Sequence, residues 1–161
     1  MINVALRFEV TAIVEAELDR IRVAGHDDHG NLFAPRVTAP GEEGAPLRCC
    51  LQDSRVGERV AVISYGPPSG RGAYAEVGPV FIHADRCLGY TTSDRFPPGF
   101  AGRQQVLRTY DENGKISDAL IVSGGSADPV IAHLLSRSGV VSVESHNVFF
   151  GCYMFTARRV A

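Results

Sequence analysis

The sequence predicts a single α+β domain over residues 1–161, in which a mostly antiparallel sheet of about six strands packs against two helices. Three patterns support this class. Alternating apolar and polar residues predict strands, two stretches with apolar residues at helical spacing predict helices, and an Asn-Gly pair between two strand-like runs predicts a hairpin. The chain has no internal repeat and no low-complexity tract, and its length suits one domain.

The first part of the chain predicts one strand, one helix and a long loop. Apolar residues alternate along residues 3–10, which is typical of a half-buried strand. Residues 12–23 carry apolar side chains at i, i+4 and i+7, and Gly25 can end that helix in a left-handed conformation. Residues 25–47 are rich in glycine and proline and predict a loop. Irregular loops of this length are uncommon in compact domains and are often functional, so this loop indicates a site.

The middle of the chain predicts two strands joined by a turn. The β-branched run at residues 57–65 is typical of a well-buried strand, and the Gly- and Pro-rich residues 66–72 predict a turn. Residues 74–84 predict the next strand, in which His83 shares a face with Phe81 because side chains alternate along a strand.

The last third of the chain predicts a hairpin, a helix and two final strands. The hairpin turn is Asn113-Gly114. The helix is predicted to begin at Asp128, which can act as an N-cap because Pro129 follows at the first helical position, and to end at Gly139. These elements are predicted over residues 104–110, 115–122, 128–139, 140–145 and 149–158.

Charge and hydropathy exclude several partners. The net charge of −2 gives no electrostatic reason to expect nucleic acid or an anionic membrane surface. No apolar run approaches the roughly 20 residues that span a bilayer, so no membrane partner is predicted. Residues 1–4 lack the basic and long apolar regions of a signal peptide, so we expect a cytoplasmic protein. Nothing in the sequence predicts the oligomeric state.

Cysteine and histidine form the first candidate site. Four cysteines are too few for a disulfide scaffold, so we expect free thiols, metal ligands or redox-active groups. Adjacent side chains of an extended segment point to opposite faces, so only one of the vicinal Cys49 and Cys50 should join a metal site easily. The predicted metal ligands are therefore Cys50, His83 and Cys87, with zinc as the candidate cofactor. The alternative is a set of buried thiols beside a hydrogen-bonded histidine.

His146 and Cys152 form the second candidate site because they flank the turn between the two final predicted strands. A hairpin would bring them face to face, and a thiolate beside an imidazole is a competent nucleophile. They are therefore the candidate catalytic residues. The alternative is an inert Cys152 in the core and a His146 that hydrogen-bonds backbone groups.

Two further segments are weaker candidates. Residues 26–31 contain two histidines and two aspartates, which could hold a divalent cation, but Asp, Gly and Asn are also ordinary turn formers and a solvated turn is favoured. Residues 123–126 resemble a phosphate loop without its following lysine, so they predict a plain loop. Dinucleotide-binding, P-loop, zinc-protease and nucleophile-elbow motifs are all absent from the sequence.

Several strings of residues together resemble the bacterial family catalogued as domain of unknown function 1203. The strings are Asp27–Asn31, Pro46–Leu51 with Asp53 and Gly57-Glu58-Arg59, Ala73–Ala84 with Cys87, Val106-Leu107-Arg108 with Tyr110-Asp111, and His146-Asn147-Val148 with Gly151-Cys152-Tyr153. The resemblance covers nearly the whole chain and implies a stand-alone bacterial protein of this size. It implies no particular activity, substrate or cofactor.

The candidate ligand-binding residues inside these strings are Arg48, Tyr74 and His83. Arg48 beside Tyr74 could bind the carboxylate or phosphate of a small anionic ligand bidentately. The alternative is that Arg48 pairs with Glu58 or Asp53 and fixes the long loop.

Two functions from different classes remain open. The first, which the sequence favours, is a non-catalytic binding module for a small anionic molecule or a metal ion. The second is a small enzyme that acts on an anionic substrate, either through Cys152 with His146 or through His83 as general base. Both require distant residues, chiefly Arg48, Tyr74, His83, His146 and Cys152, to line a shared concavity.

Overall fold

The computed structural model of the chain describes residues 6–161, which form ten strands and two α-helices. In chain order the elements are β1 (Phe8–Thr11), α1 (Glu15–Ala24), β2 (Arg36–Val37), β3 (Pro46–Leu47), β4 (Gln52–Asp53), β5 (Arg59–Tyr65), β6 (Gly78–His83), β7 (Gln104–Tyr110), β8 (Ile116–Ser123), α2 (Ala127–Ser136), β9 (Ser142–Asn147) and β10 (Tyr153–Arg159). Three short 3-10 helices cover Gly72–Tyr74, Pro98–Phe100 and Gly124–Ser126. The predicted α+β class is confirmed.

The strands form two five-stranded sheets, which corrects the prediction of one sheet with about six strands. The first sheet has the order β1-β10-β9-β7-β8 and the second has the order β2-β5-β6-β3-β4. All described pairings are antiparallel except the parallel contact between β3 and β6. The second sheet was missed because β2, β3 and β4 have only two residues each, which is too short to show an alternating pattern.

The first sheet is covered by α2. The helix buries Ile131, Leu134 and Leu135 against the sheet, in one core that also contains Leu107 of β7 and Phe155 of β10. The predicted Asn-Gly hairpin is confirmed, since β7 and β8 pair in register and Gly114 has a φ of 75°. The helix begins one residue earlier than predicted. Asp128 is not its N-cap; its carboxylate instead accepts a hydrogen bond from the backbone N–H of Phe96.

The second sheet packs against α1. Leu18 and Ile21 of the helix are buried in a second core with Val60, Val80 and Ile82. As predicted, the helix ends at Gly25, which has a φ of 75° and donates its N–H to the carbonyl of Ile21. Tyr153 of β10 belongs to this second core and its ring centroid lies 5.4 Å from that of Tyr65. The two sheets therefore meet through β10.

The predicted long loop at residues 25–47 is more ordered than its composition suggested. His26 and Leu32 form an isolated antiparallel bridge, and Arg36 of β2 pairs with Val60 of β5. Arg36 and Val60 are distant in sequence, so local composition could not reveal their pairing.

Residues 1–5, which carry the start of the predicted first strand and the predicted absence of a signal peptide, lie outside the described residues. Within residues 6–161, neither helix is long and apolar enough to cross a membrane.

Candidate metal centre

Four side chains from three segments of the second sheet converge at one end of β6. One ligand atom from each lies within 4.8 Å of every other, and together the four residues could hold a metal ion. We call this group the Cys-His cluster: it consists of Cys49, Cys50, His83 and Cys87. Three of its members are the metal ligands predicted from the sequence, and Cys49 is the addition.

The distances within the Cys-His cluster suit a tetrahedral metal. The Nδ1 atom of His83 lies 3.4 Å from the sulfur of Cys49 and 3.8 Å from the sulfur of Cys50. Zinc bonds of about 2.3 Å to sulfur and about 2.0–2.1 Å to nitrogen place tetrahedral sulfur and nitrogen ligands roughly 3.6 Å apart. The two nitrogen–sulfur distances are close to this value, and the remaining pairs of ligand atoms lie within 4.8 Å of each other.

Both vicinal cysteines join the Cys-His cluster because they lie in a turn and not in a strand. Residues 48–51 connect β3 to β4, and Leu51 has a φ of 56° while its N–H donates to the carbonyl of Leu47. The alternation of faces applies to extended backbone, and this turn breaks it. The expectation that only one of Cys49 and Cys50 would take part is therefore wrong.

His83 is held by contacts at both ring nitrogens. Its Nε2 atom lies 3.3 Å from Oε1 of Glu58, while Nδ1 faces the two sulfurs. Its backbone N–H also donates to the sulfur of Cys49 at 3.3 Å. A carboxylate on the far nitrogen of a metal-binding histidine fixes the tautomer and the ring orientation. Glu58 therefore takes the position of an outer-shell partner.

The role of Glu58 was not predicted from the sequence. Two strands joined by a short turn usually pair antiparallel, which puts the start of the first beside the end of the second. In the structure Val60 pairs with His83, so Glu58 lies just beyond that pair. The two predicted strands indicated the neighbourhood, but the register that brings Glu58 to His83 comes from the structure.

The Cys-His cluster concentrates ionisable groups around one point. Hydrogen bonds with the thiols of Cys50 and Cys87 raise the pKa of His83 to about 10. Hydrogen bonds from Cys49 and Cys50 lower the pKa of the Cys87 thiol. The negative charge of a thiolate in the cluster is thus balanced by protons on His83 and on the neighbouring thiols. A divalent cation that binds thiolates and a neutral imidazole would replace those protons.

Charged groups and a cavity surround the Cys-His cluster. Arg22 contacts the carbonyl of His83 and pairs with the carboxylates of Glu15 and Asp19, and an oxygen of Glu15 lies 3.4 Å from the sulfur of Cys87. Three thiolates around a divalent ion would leave one net negative charge, and the charge of Arg22 is already shared with these two carboxylates. Cys50, His83 and Cys87 also line a cavity of about 600 Å³, which gives an ion a path of entry.

His146 and Cys152 are not directed at one another. The two ring nitrogens of His146 contact the carbonyl of Gly151 and the carboxylate of Glu144, both at 3.1 Å, and the histidine is buried. The thiol of Cys152 lies 3.7 Å from the carbonyl of Phe150. His146 is in β9, and its ring centroid lies 6.0 Å from that of Tyr153.

The predicted ligand-binding residues Arg48, Tyr74 and His83 do not line one cavity. Arg48 is buried and donates to the carbonyls of Tyr153 and Pro46, so it pairs with neither Glu58 nor Asp53 as the alternative had it. Tyr74 is exposed in a 3-10 helix and does not line the cavity that contains Arg48.

The expected shared concavity is thus only partly present. Arg48 and Cys152 line one cavity, His83 lines another, and Tyr74 and His146 line neither of these two.

The histidine- and aspartate-rich residues 26–31 form a hydrogen-bonded turn. The buried carboxylate of Asp27 accepts bonds from the N–H groups of His29 and Asn31, and Asp28 forms an ion pair with Arg20. The predicted solvated turn is therefore the better description, although Asp27 itself is buried.

Comparison with known proteins gives one match. A family model described as protein of unknown function (DUF1203) matches residues 44–159, which include the whole Cys-His cluster. No curated protein and no solved structure matches the chain.

Proposed function

The chain belongs to the DUF1203 family, and we propose that it is a zinc-binding module whose Cys-His cluster holds one zinc ion. The observation that carries this proposal is the convergence of three sulfurs and the Nδ1 of one imidazole within 4.8 Å, with a carboxylate on the other imidazole nitrogen. Three cysteines and one histidine form one of the common zinc-binding sets, and thiolates select against magnesium and calcium.

The proposed role of the zinc is structural. The Cys-His cluster supplies four protein ligands, so a tetrahedral ion has no open position for water or substrate, whereas catalytic zinc keeps one. Cys49 and Cys50 come from the turn between β3 and β4, His83 from the end of β6 and Cys87 from the loop that follows. One ion would therefore tie a short hairpin to the neighbouring strand and to its following loop.

The proposed structural role fits the weak strand pairing in this part of the second sheet. The hairpin strands β3 and β4 have two residues each, so few backbone hydrogen bonds hold them. A metal that joins Cys49 to His83 closes a loop across more than 30 residues, and the binding free energy then becomes folding free energy.

The test is the metal content of protein purified without chelator. We expect about one equivalent of zinc per chain, and Cys87→Ser and Cys49→Ser should each lower it to below roughly a third because a three-ligand site binds zinc far more weakly. Cys152→Ser is the matched control, since this fourth cysteine lies outside the Cys-His cluster and should leave the content unchanged. Cobalt substitution should give the visible spectrum of tetrahedral thiolate coordination in the wild type and in Cys152→Ser.

Two results would contradict the proposal. Less than about a tenth of an equivalent of zinc, with no uptake on adding zinc to reduced protein, would exclude the metal site. Equal loss of zinc in Cys152→Ser would assign the metal to another place. In the first case, rapid alkylation of Cys87 at neutral pH would favour thiol chemistry in the cluster instead.

A further inference from the structure

A second cavity lies away from the Cys-His cluster, where the β3–β4 hairpin meets the turn between β9 and β10. Its volume is about 400 Å³, which suits a small organic molecule. Arg48 and Arg103 supply its positive charge, while Phe81, Phe150 and Pro79 supply apolar walls. Cys152 lies at the same cavity.

Within residues 6–161, Arg48 is a buried cation without a carboxylate partner. Its side chain is 2% exposed, and its Nε donates to the carbonyl of Tyr153 at 2.6 Å. Nη1 donates to the carbonyl of Pro46, and Nη2 has no hydrogen-bond partner in the described part of the chain. A guanidinium carries its charge at neutral pH even when it is buried. Carbonyl dipoles alone compensate a buried charge poorly, and an anion would complete the site.

Arg103 lines the same cavity and also has a guanidinium nitrogen that is not hydrogen-bonded within the described residues. Its Nη2 contacts Oδ1 of Asp53 at 2.6 Å and the carbonyl of Gly44 at 2.7 Å. In the described part of the chain its Nε is buried without a hydrogen-bond partner. Asp53 pairs with Arg103, whereas none of the described carboxylates forms an ion pair with Arg48.

The rim of the cavity narrows the class of anion. Glu42, which pairs with Arg36, and Glu43 also line it, and these exposed carboxylates repel any anion, a multiply charged one more strongly than a singly charged one. The walls from Phe81 and Phe150 favour an apolar body. A singly charged carboxylate with an apolar or aromatic part fits these constraints better than phosphate does.

We propose that this cavity, which we call the Arg48 cavity, binds a small organic carboxylate. The acid group lies against the free edge of the Arg48 guanidinium, and the apolar part lies between Phe81 and Phe150. This site needs no metal ligand and goes beyond the proposed metal-binding function, although Arg48 belongs to the same turn as Cys49 and Cys50.

The test uses benzoate, its neutral isostere benzamide, acetate and inorganic phosphate as probes in calorimetric titrations of the full chain. We expect benzoate to bind at least about tenfold more tightly than benzamide, because only benzoate pairs with Arg48. Acetate lacks the apolar part and phosphate carries more charge, so both should bind more weakly than benzoate. Benzoate should also slow the alkylation of Cys152, measured by peptide mass spectrometry.

Phe150→Ala and Phe149→Ala provide matched variants, because both side chains are largely exposed and neighbouring, but only Phe150 lines the Arg48 cavity. Removing the Phe150 ring should weaken benzoate binding about fivefold or more, and removing the Phe149 ring less than about twofold. These variants are preferred to substitutions of Arg48, whose bond to Tyr153 also holds the fold.

Three outcomes would overturn the inference. They are equal affinity for benzoate and benzamide, equal effects of the two phenylalanine variants, and no binding of any probe at about 10 mM, a concentration above the weak-ligand range. Because the zinc content is measured separately, failure here leaves the metal proposal untouched.

Discussion

At the residue scale, Asp27 shows how a buried charge is held without an ion pair. Its carboxylate accepts hydrogen bonds from the backbone N–H groups of His29, Asn31 and Ser64 and from the side-chain amide of Asn31. Burial by itself would raise the pKa of Asp27, but these donors, above all Ser64, lower it from 3.8 to about 2. The aspartate therefore joins the turn at residues 26–31 to β5.

We expect Asp27→Asn to destabilise the protein by about 1–3 kcal/mol at pH 7, because an amide nitrogen would replace an oxygen that accepts from N–H donors. The folded-state pKa lies below the ordinary value. The stabilisation is therefore complete above about pH 4 and is lost as the pH falls towards about 2. The measurement is urea unfolding of both proteins from pH 7 to pH 2.5.

The control for this prediction is Asp28→Asn, because Asp28 is exposed in its pair with Arg20 and should contribute no measurable stability. A gap between wild type and Asp27→Asn that stays constant down to pH 2.5 would contradict the assigned pKa shift.

At the element scale, the segment that leads into α2 contains a tightly packed glycine, Gly124. The 3-10 helix Gly124–Ser126 leads directly into α2. A Cβ atom on Gly124 would lie 2.8 Å from the carbonyl oxygen of Phe100 and 2.8 Å from the ring of Phe96. This segment, predicted as a plain loop, is therefore a packing contact between the end of β8 and the irregular stretch before β7.

We expect Gly124→Ala to destabilise the protein by about 1–3 kcal/mol, because backbone atoms surround the site and cannot move aside as a flexible side chain would. Gly125→Ala is the matched control, since nothing lies within 4 Å of a Cβ there, and it should remain within about 0.5 kcal/mol of wild type. Thermal unfolding of the two variants would compare them directly. Equal stability of the two would show that the close packing of Gly124 is not required.

At the scale of the whole molecule, the two sheets differ in what holds them together. The first sheet has strands of four to eight residues and a core covered by α2. The second contains three two-residue strands, and on the proposed function the zinc ion stabilises its short hairpin. Removal of metal should therefore affect the two sheets unequally.

We expect a chelator to lower the melting temperature by about 8–16 °C if zinc is present at roughly a thousandfold its dissociation constant. Hydrogen exchange should speed up in residues 46–53 and 84–97 and stay slow in β7 and β9. Cys152→Ser should respond as the wild type does, and Cys87→Ser should resemble the chelated wild type without any addition. A uniform increase in exchange over both sheets would argue against this local role.

Local patterns predicted the elements that are long enough to show a period. The β7–β8 hairpin, both helices and the buried strand β5 all follow from spacing and turn residues. His83 and Cys87 are close in the chain and their spacing predicts a ligand pair, whereas Cys50 was added because a thiolate is a zinc ligand. The elements and the His83–Cys87 pair depend on near neighbours in the chain, which spacing and periodicity report.

Tertiary structure decided the rest. The position of Cys49 in the Cys-His cluster depends on a turn in which Leu51 has a positive φ. The contact between His83 and Glu58 depends on the register of β5 with β6. The burial of Arg48 depends on β10, where the carbonyl of Tyr153 accepts a hydrogen bond from its Nε. Each of these results from contacts between residues far apart in the chain. Sequence periodicity contains no information on such contacts, because it reports only which face of an element is apolar and not what lies against that face.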